Sequence, residues 1–337
     1  METFVDSHKK ITFVHQSVKR NPTEKERIYS HPPKDCALKT LSILIPTYNY
    51  ICVELVRQLI TAVQYAEKNK QPVQYEIIVG DDGSPDKQCI EKNQEINTLS
   101  NSRFIAYPTN NGRAAIRNAL AREATYNYLL FIDCDAALSN NTFILKYLLE
   151  IPQNRVVCGS LLTPTPHPFH NVSLRYKYEM HATRIRTLSY RKEHPYHFFT
   201  TFNFMIQKDL FLSIGFDERC VHYGYEDALF GIQLKELGVQ IKHINNPLLH
   251  LGLEPNTTFL KKTEVSLQTL YILGEEMQKH AQVSRIAQRL KDWYCIGIIK
   301  FAYKLSHKII YKQLCGNNPS LLLFNFYKLG FYSSLKP

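Results

Sequence analysis

The sequence lacks paired cysteines. Its eight, at 36, 52, 89, 134, 158, 220, 295 and 315, form no C-x-x-C, so neither a zinc ribbon nor a dithiol redox site is indicated. Cys134 and Cys158 sit in or beside apolar runs, which suits buried thiols in a reducing compartment. Met1–Lys10 has no apolar core of signal-peptide type. No uninterrupted apolar run approaches the ~20 residues of a membrane span. The sequons at Asn171 and Asn256 therefore carry little weight. Internal repeats are missing too.

What is present describes an ordinary folded chain. Length 337, 44% hydrophobic and 21% charged residues allow one large domain or a domain plus an appendage. Acidic balance is scarce at one end. Between Val283 and Pro337 nine Lys or Arg face one acid, Asp292, which places +8 of the formal +11 in the last segment. The basic surplus belongs to a tail and is not spread over the whole surface.

Residues 1–40 are polar and weakly patterned, and read as an arm. Strands are expected at Leu41–Ile45, Tyr75–Val79, Arg103–Tyr107 and from Tyr128, with helices at 52–68, 86–99 and 111–125 between them. That alternation predicts an α/β fold with a mostly parallel sheet and right-handed crossovers. A helix over 140–150, a strand over 156–161, a Pro-broken basic segment over 163–199 and a strand over 199–206 follow. Helices are then expected at 208–213, 225–237, 259–280 and 283–313, with a strand over 239–244.

Three motifs end strands on one edge of this sheet: Ser42–Asn49 (Ser-Ile-Leu-Ile-Pro-Thr-Tyr-Asn), Val79–Ser84 (Val-Gly-Asp-Asp-Gly-Ser) and Asp133-Cys134-Asp135. Ligands of open α/β sheets bind beyond such strand ends. Asp133 and Asp135 alone are as well explained by a solvated turn as by a site for a hard cation. In this order and spacing, the three motifs resemble family 2 glycosyltransferases of the GT-A fold over about residues 41–280. The resemblance implies a nucleotide-sugar-binding half (41–138) and an acceptor-binding half (139–282); the charge surplus and helical spacing mark a basic helical tail (283–337) beyond them.

The resemblance also implies residue roles. Pro46 and Tyr48 fall at the nucleotide end of the donor pocket, where a tyrosine offers a ring face and a hydroxyl. Asp82 matches the base-reading aspartate. A carboxylate can accept the imide N–H of uracil, which a cytosine ring lacks, so a UDP donor is mildly favoured. Asp81 would brace the turn. Arg117 matches a position near the diphosphate, with Arg113 the competing candidate at the helix start. Asp133 would face the ribose or a metal-bound water, and Asp135 would ligate the metal.

Downstream, His222–Leu234 (His-Tyr-Gly-Tyr-Glu-Asp-Ala-Leu-Phe-Gly-Ile-Gln-Leu) resembles the family's acidic pair opening a helix that faces the acceptor. By that match Asp227 is the general base and Glu226 holds acceptor or sugar. A helix N-terminus should weaken that base, against the tuning general bases need. His250, after a strand, matches a position where GT-A enzymes supply an imidazole to Mn²⁺ or Mg²⁺. His243 is the alternative. The sequence departs from the family at Ile214–Glu218, which has one glycine before Phe-Asp-Glu, and at Tyr223-Gly224-Tyr225, which replaces a Trp- and Gly-rich loop. The Gln-x-x-Arg-Trp signature of processive synthases is missing, Trp293 being the only tryptophan. One sugar per encounter follows.

The expected activity is therefore metal-dependent, inverting transfer to a glycan or lipid-linked glycan, with no nucleic-acid partner. Two rivals are another metal-dependent nucleotide enzyme, such as a nucleotidyltransferase, and a non-catalytic membrane-surface binder. The 163–199 segment reads as an acceptor-side flap. In the tail, Lys300, Lys304, Lys308, Lys312 and His307 share one helical arc, and Ile298, Phe301, Ala302, Leu305, Ile309 and Ile310 the other side. Either this helix lies at a membrane surface, peripheral on the cytoplasmic face, or it packs on the catalytic domain with its basic side outward.

Overall fold

The computed structural model describes residues 38–165, 173–220 and 223–335. Nearly all of the 1–40 arm lies outside them, as do Asn171 and His222. β1 (Lys39–Thr47) is buried from Leu41 onward, as an apolar run within a doubly covered sheet requires. Helix α1 (Val53–Lys68) turns Val56, Leu59 and Val63 inward, the 3.6-residue stripe legible in its sequence. β2 (Val73–Asp81) follows. The single helix expected over 86–99 divides into α2 (Lys87–Asn93) and a 3₁₀ turn. Asp86 caps α2 by accepting from the amides of Gln88 and Cys89. β3 (Ser102–Ala106), α3 (Arg113–Glu123) and β4 (Tyr128–Ile132) complete the first half.

The second half contains β5 (Ala136–Leu138), α4 (Phe143–Leu148), β6 (Val156–Leu162), α5 (Ser173–Ile185), α6 (Leu188–Glu193), β7 (Asn203–Gln207), α7 (Lys208–Ile214), α8 (Glu226–Glu236) and β8 (Ile241–His250). The sheet order is β3-β2-β1-β4-β7-β6-β8-β5. Pairing is parallel from β3 to β4 and between β6 and β8, and antiparallel at β4/β7, β6/β7 and β5/β8. One apolar cluster beneath the sheet includes α1 and α4, and another on the opposite face takes in α3, α7 and α8.

One strand is added and one lengthened. β5, for which no strand was expected, is three residues long, too short to show a period. The strand expected over 239–244 runs as β8 from Ile241 to His250, through Pro247. Its register with β6 shifts between Cys158 and Ser160, and Ser160 pairs with Pro247. A shift of this kind is where a strand tolerates a residue without an N–H.

Beyond β8 lie α9 (Asn256–Ile272), α10 (Glu275–Gln278), α11 (Gln282–Asp292), α12 (Ile296–Leu314) and α13 (Leu321–Ser334). Gly274 (φ 66°) separates α9 from α10. The single helix expected over 283–313 is broken at Trp293–Cys295, with Tyr294 at φ 58°. Tail helices α12 and α13 pack on α5 and α9 through Leu174, Phe259, Leu260, Ile310, Leu314, Phe324 and Tyr327.

Candidate functional site

The ends of β1 and β2 are tied by backbone and side chain. The Asp82 amide donates to the Thr47 carbonyl at 2.9 Å, and the Asn49 amide to Ser84 Oγ at 2.7 Å. Asp81 accepts from the Ser84 amide at 2.9 Å and from its hydroxyl, bracing the turn. Pro46 is buried in β1, and Tyr48 is 46% exposed at its end. Asp82 is buried and accepts from the amides of Asn111 (2.9 Å) and Gly112 (3.0 Å). Burial raises its pKa, partly offset by those two bonds. Each oxygen keeps a second lone pair.

Gly112 opens α3 at φ 91°. The helix presents Arg113 and Arg117 one turn apart, and both reach Asp133 at the end of β4. Arg117 is fully buried, pairs with Asp133 Oδ1 and donates to the Arg113 carbonyl at 3.0 Å. Arg113 is the accessible one, 39% exposed. It donates from Nη2 to Asp133 Oδ2 (3.3 Å) and from Nε to Glu226 Oε1 (2.9 Å), and lies over the Tyr223 ring at 5.3 Å. Burial disfavours its charge, but Glu226 and Asp133 outweigh burial and raise its pKa. One guanidinium thus joins the acid that ends β4 to the acid opening α8.

That opening is unusual backbone. Gly224 (φ 104°) and Tyr225 (φ 69°) are both left-handed immediately before Glu226, a conformation costing about 1–2 kcal/mol for a residue with a side chain. Phe230, one turn on, locks α8 against Phe216 at 4.6 Å between centroids and against Phe211 at 5.8 Å. Asp227 accepts from the Ala228 amide at 2.7 Å. The weakening expected from the helix terminus is overridden. Desolvation first and the Glu226 charge second raise the Asp227 pKa to about 6, against the Ala228 amide and two arginines. This is the range in which a carboxylate serves as base near neutral pH.

The second cluster is made by the short β5. Ala136 pairs with His250 across β5/β8, which sets His250 Nε2 3.2 Å from Asp135 Oδ2. Glu179 on α5 meets His250 Nδ1 at 2.9 Å, and is itself held by Thr163 Oγ1 (2.9 Å) and Arg175. Burial disfavours the imidazolium, but Asp135 and Glu179 outweigh it and lift the His250 pKa to about 9. Burial likewise works to raise the Asp135 pKa, yet His250 and Arg113 hold it below the ordinary value. Gly252 leaves room for the carboxylate: a Cβ there would stand 2.0 Å from Asp135 Oδ2.

These residues fit a divalent cation. The 3.2 Å separation is close to the ~3.0 Å edge between neighbouring ligands in an octahedron of ~2.1 Å bonds. A carboxylate on the far imidazole nitrogen is the usual orienting partner of a ligating histidine. No group of three or more candidate ligands occurs among the described residues, so substrate and water would supply the rest. His243, the alternative, is buried between Arg191 (3.1 Å) and the Pro195 carbonyl (2.8 Å), away from Asp135.

The structure therefore gathers Asp133, Arg113, Arg117 and Glu226 in one network and Asp135 and His250 in another, with Arg113 close enough to Asp135 to depress its pKa. Glu179 and Gly252 escaped sequence reasoning. Glu179 lies in a basic segment whose register toward β8 had no local signal. In that segment Arg191 is buried and bonded to the Gly159 and Ile244 carbonyls. Lys177 donates to the Pro319 carbonyl, so these two cations hold the fold together.

A family model described as glycosyl transferase family 2 matches residues 42–215. The chain belongs to glycosyltransferase family 2. The match takes in the donor-edge motifs and ends before Glu226, Asp227 and His250. The chain is similar to a chondroitin synthase of Escherichia coli, 28% identical over 265 residues, covering 67% of this chain and 37% of the relative. It is also similar to a hyaluronan synthase of Pasteurella multocida, 28% identical over 239 residues, 61% of this chain and 24% of that one. This family 2 chain thus spans between about a quarter and a little over a third of the length of these relatives. Among solved structures, a mannosyltransferase from Pyrobaculum calidifontis in complex with GDP-Man and Mn²⁺ superposes with a TM-score of 0.50 at 13% identity, covering 90% and 91% of the two chains. That likeness shows the GT-A fold.

Proposed function

We propose that the chain transfers one sugar, hexosyl or N-acetylhexosaminyl, from a UDP-linked donor to a hydroxyl of a glycan or lipid-linked glycan, by single displacement with inversion. The observation that carries this is the Arg113 bridge between Asp133 and Glu226. It brings a nucleotide-edge acid and an acceptor-side acid within one side chain of each other. Tyr48 and Asp82 hold the base, and the free acceptor capacity of Asp82 favours the uracil imide. Arg113, more accessible than Arg117, meets the diphosphate, and Arg117 orients Asp133 toward the ribose. Asp227 takes the proton of the attacking hydroxyl, while Glu226 holds acceptor or sugar.

A Mn²⁺ or Mg²⁺ ion held by Asp135 and His250 would supply positive charge against the leaving diphosphate. The relatives named chondroitin and hyaluronan synthase favour a glycan acceptor and polysaccharide biosynthesis. The basic tail favours one presented at a lipid surface on the cytoplasmic side. The test is a thermal-shift screen of nucleotide sugars with and without Mn²⁺. Stabilisation by a UDP-sugar that requires the ion is expected, and is lost in Asp135→Asn. No ion-dependent stabilisation by any nucleotide sugar would sink the reading.

A further inference from the structure

Of the two arrangements the sequence left open, packing on the catalytic domain with the basic side outward describes the tail only in part. Helix α12 packs inward through Tyr303, Ile310 and Leu314 onto α13 and the catalytic domain. Its other apolar residues are not covered. Ile298, Phe301, Leu305 and Ile309, with Trp293 and Tyr294 in the turn before them, are between 67% and 94% exposed. At 100° per residue, the four helical ones fall within an arc of about 80°. Lys300, Lys304 and Lys308 fall in the adjoining arc, and all three are exposed. Arg285, Arg289 and Lys291, on α11, are exposed before the same turn. So the apolar stripe and the cations share the outward side, edge to edge, where opposite sides were expected.

Charge decides what fits such a face. Asp292 is the one acid between Val283 and Pro337. A second copy of this chain would bring its own lysines against these, which repels. A lipid surface answers both halves at once, because acyl chains accept the stripe and anionic headgroups accept the cations. Tryptophan and tyrosine are the side chains that settle at the level of headgroups. No described helix is long and apolar enough to cross a membrane, so contact would lie in the plane of the surface. We infer that the outward face of α12, with Trp293 and Tyr294, is a docking surface for an anionic lipid bilayer. This deepens the lipid-surface part of the proposed function and rests on it.

Because Trp293 is the only tryptophan, its emission reports on this face alone. The full chain is mixed with phosphatidylcholine vesicles, with and without about a third phosphatidylglycerol, and followed by sedimentation and fluorescence. With the anionic vesicles we expect co-sedimentation, a blue shift of Trp293 and protection from acrylamide. Phe301→Asp with Leu305→Asp should reduce sedimentation to background at an unchanged melting temperature, since both side chains are exposed. Replacing Lys300, Lys304 and Lys308 by Gln should weaken partition by on the order of a hundredfold, at about fivefold per lysine. No sedimentation with either vesicle overturns the proposal. So does Trp293 that is already shielded in the free chain, whether by residues 1–37 or by concentration-dependent pairing. Ion-dependent UDP-sugar stabilisation is read on the same samples. If it persists without vesicle binding, the docking face fails and the transferase reading stands. Vesicle binding without that stabilisation keeps the docking face and removes the transferase reading.

Discussion

Replacing Asp227 by Asn should make the protein more stable and catalytically inert. Desolvation and the neighbouring Glu226 lift the Asp227 pKa from 3.8 to about 6. At about 1.36 kcal/mol per pKa unit, a shift of roughly two units is a penalty of at most about 3 kcal/mol. Partial exposure screens it and the helix N-terminus returns a few tenths, leaving about 1–2 kcal/mol.

The sign follows from proton counting. Between pH 4 and 6 the folded state holds a proton that the unfolded chain has lost, so stability falls as pH rises through this window. Above pH 6 the whole penalty is in place. The Asn variant, which titrates nowhere there, should unfold at higher urea than the parent at pH 7.5 and by a clearly smaller margin at pH 4.5. Its transfer rate should drop by about 10²–10⁴, the usual worth of a general base, with UDP-sugar binding retained. In the parent, kcat/KM should fall as pH drops through about 6. A variant no more stable than the parent at pH 7.5, or equally more stable at both pH values, would refute the argument from burial. Lost donor binding would refute the role.

Other substitutions probe the rest of the site. Gly252→Ala drives a Cβ into Asp135 and should weaken Mn²⁺ binding tenfold or more, read by Mn²⁺ titration in the presence of UDP, with little change in circular dichroism. Glu179→Leu removes the partner of His250 Nδ1 and should cost about 10–100-fold in the same titration, while Glu179→Gln, which keeps an acceptor, should recover most of it. Arg113→Lys cannot make both forked bonds to Asp133 and Glu226. It should lower kcat at least tenfold and depress the melting temperature by several degrees; unchanged kcat would remove Arg113 from the centre of the site.

The legible parts were those with a period or a strand-end signature. β1 to β4 and α1 could be placed because apolar runs and an inward stripe speak locally. The aspartates 82, 133 and 135 were found because each ends such a strand. What escaped was set by pairing across the chain. β5 has three residues and no pattern, yet it is what sets Asp135 beside His250, 115 positions away. The last residues of β8 escaped too, because the tolerance of Pro247 within the strand depends on a register shift against β6. Arg117 looked the better cation by family position, but burial against Asp133 leaves Arg113 the open one. Asp227, the proposed base, looked too weak from its helix position alone, since neither burial nor the Glu226 charge can be read from order in the chain.

Helix α5 has two loads at once. Glu179 on one of its turns steadies His250, while Leu174 and Lys177 hold Phe324 and the Pro319 carbonyl of the tail. Ala287 and Tyr332, from α11 and α13, belong to the same apolar cluster as α8. The last fifty residues are therefore masonry as well as the proposed docking face. Truncating them would empty part of the wall against α5, which carries Glu179, so a shortened chain that fails to transfer would say nothing about lipid docking. Only surface changes on the outward stripe separate the two.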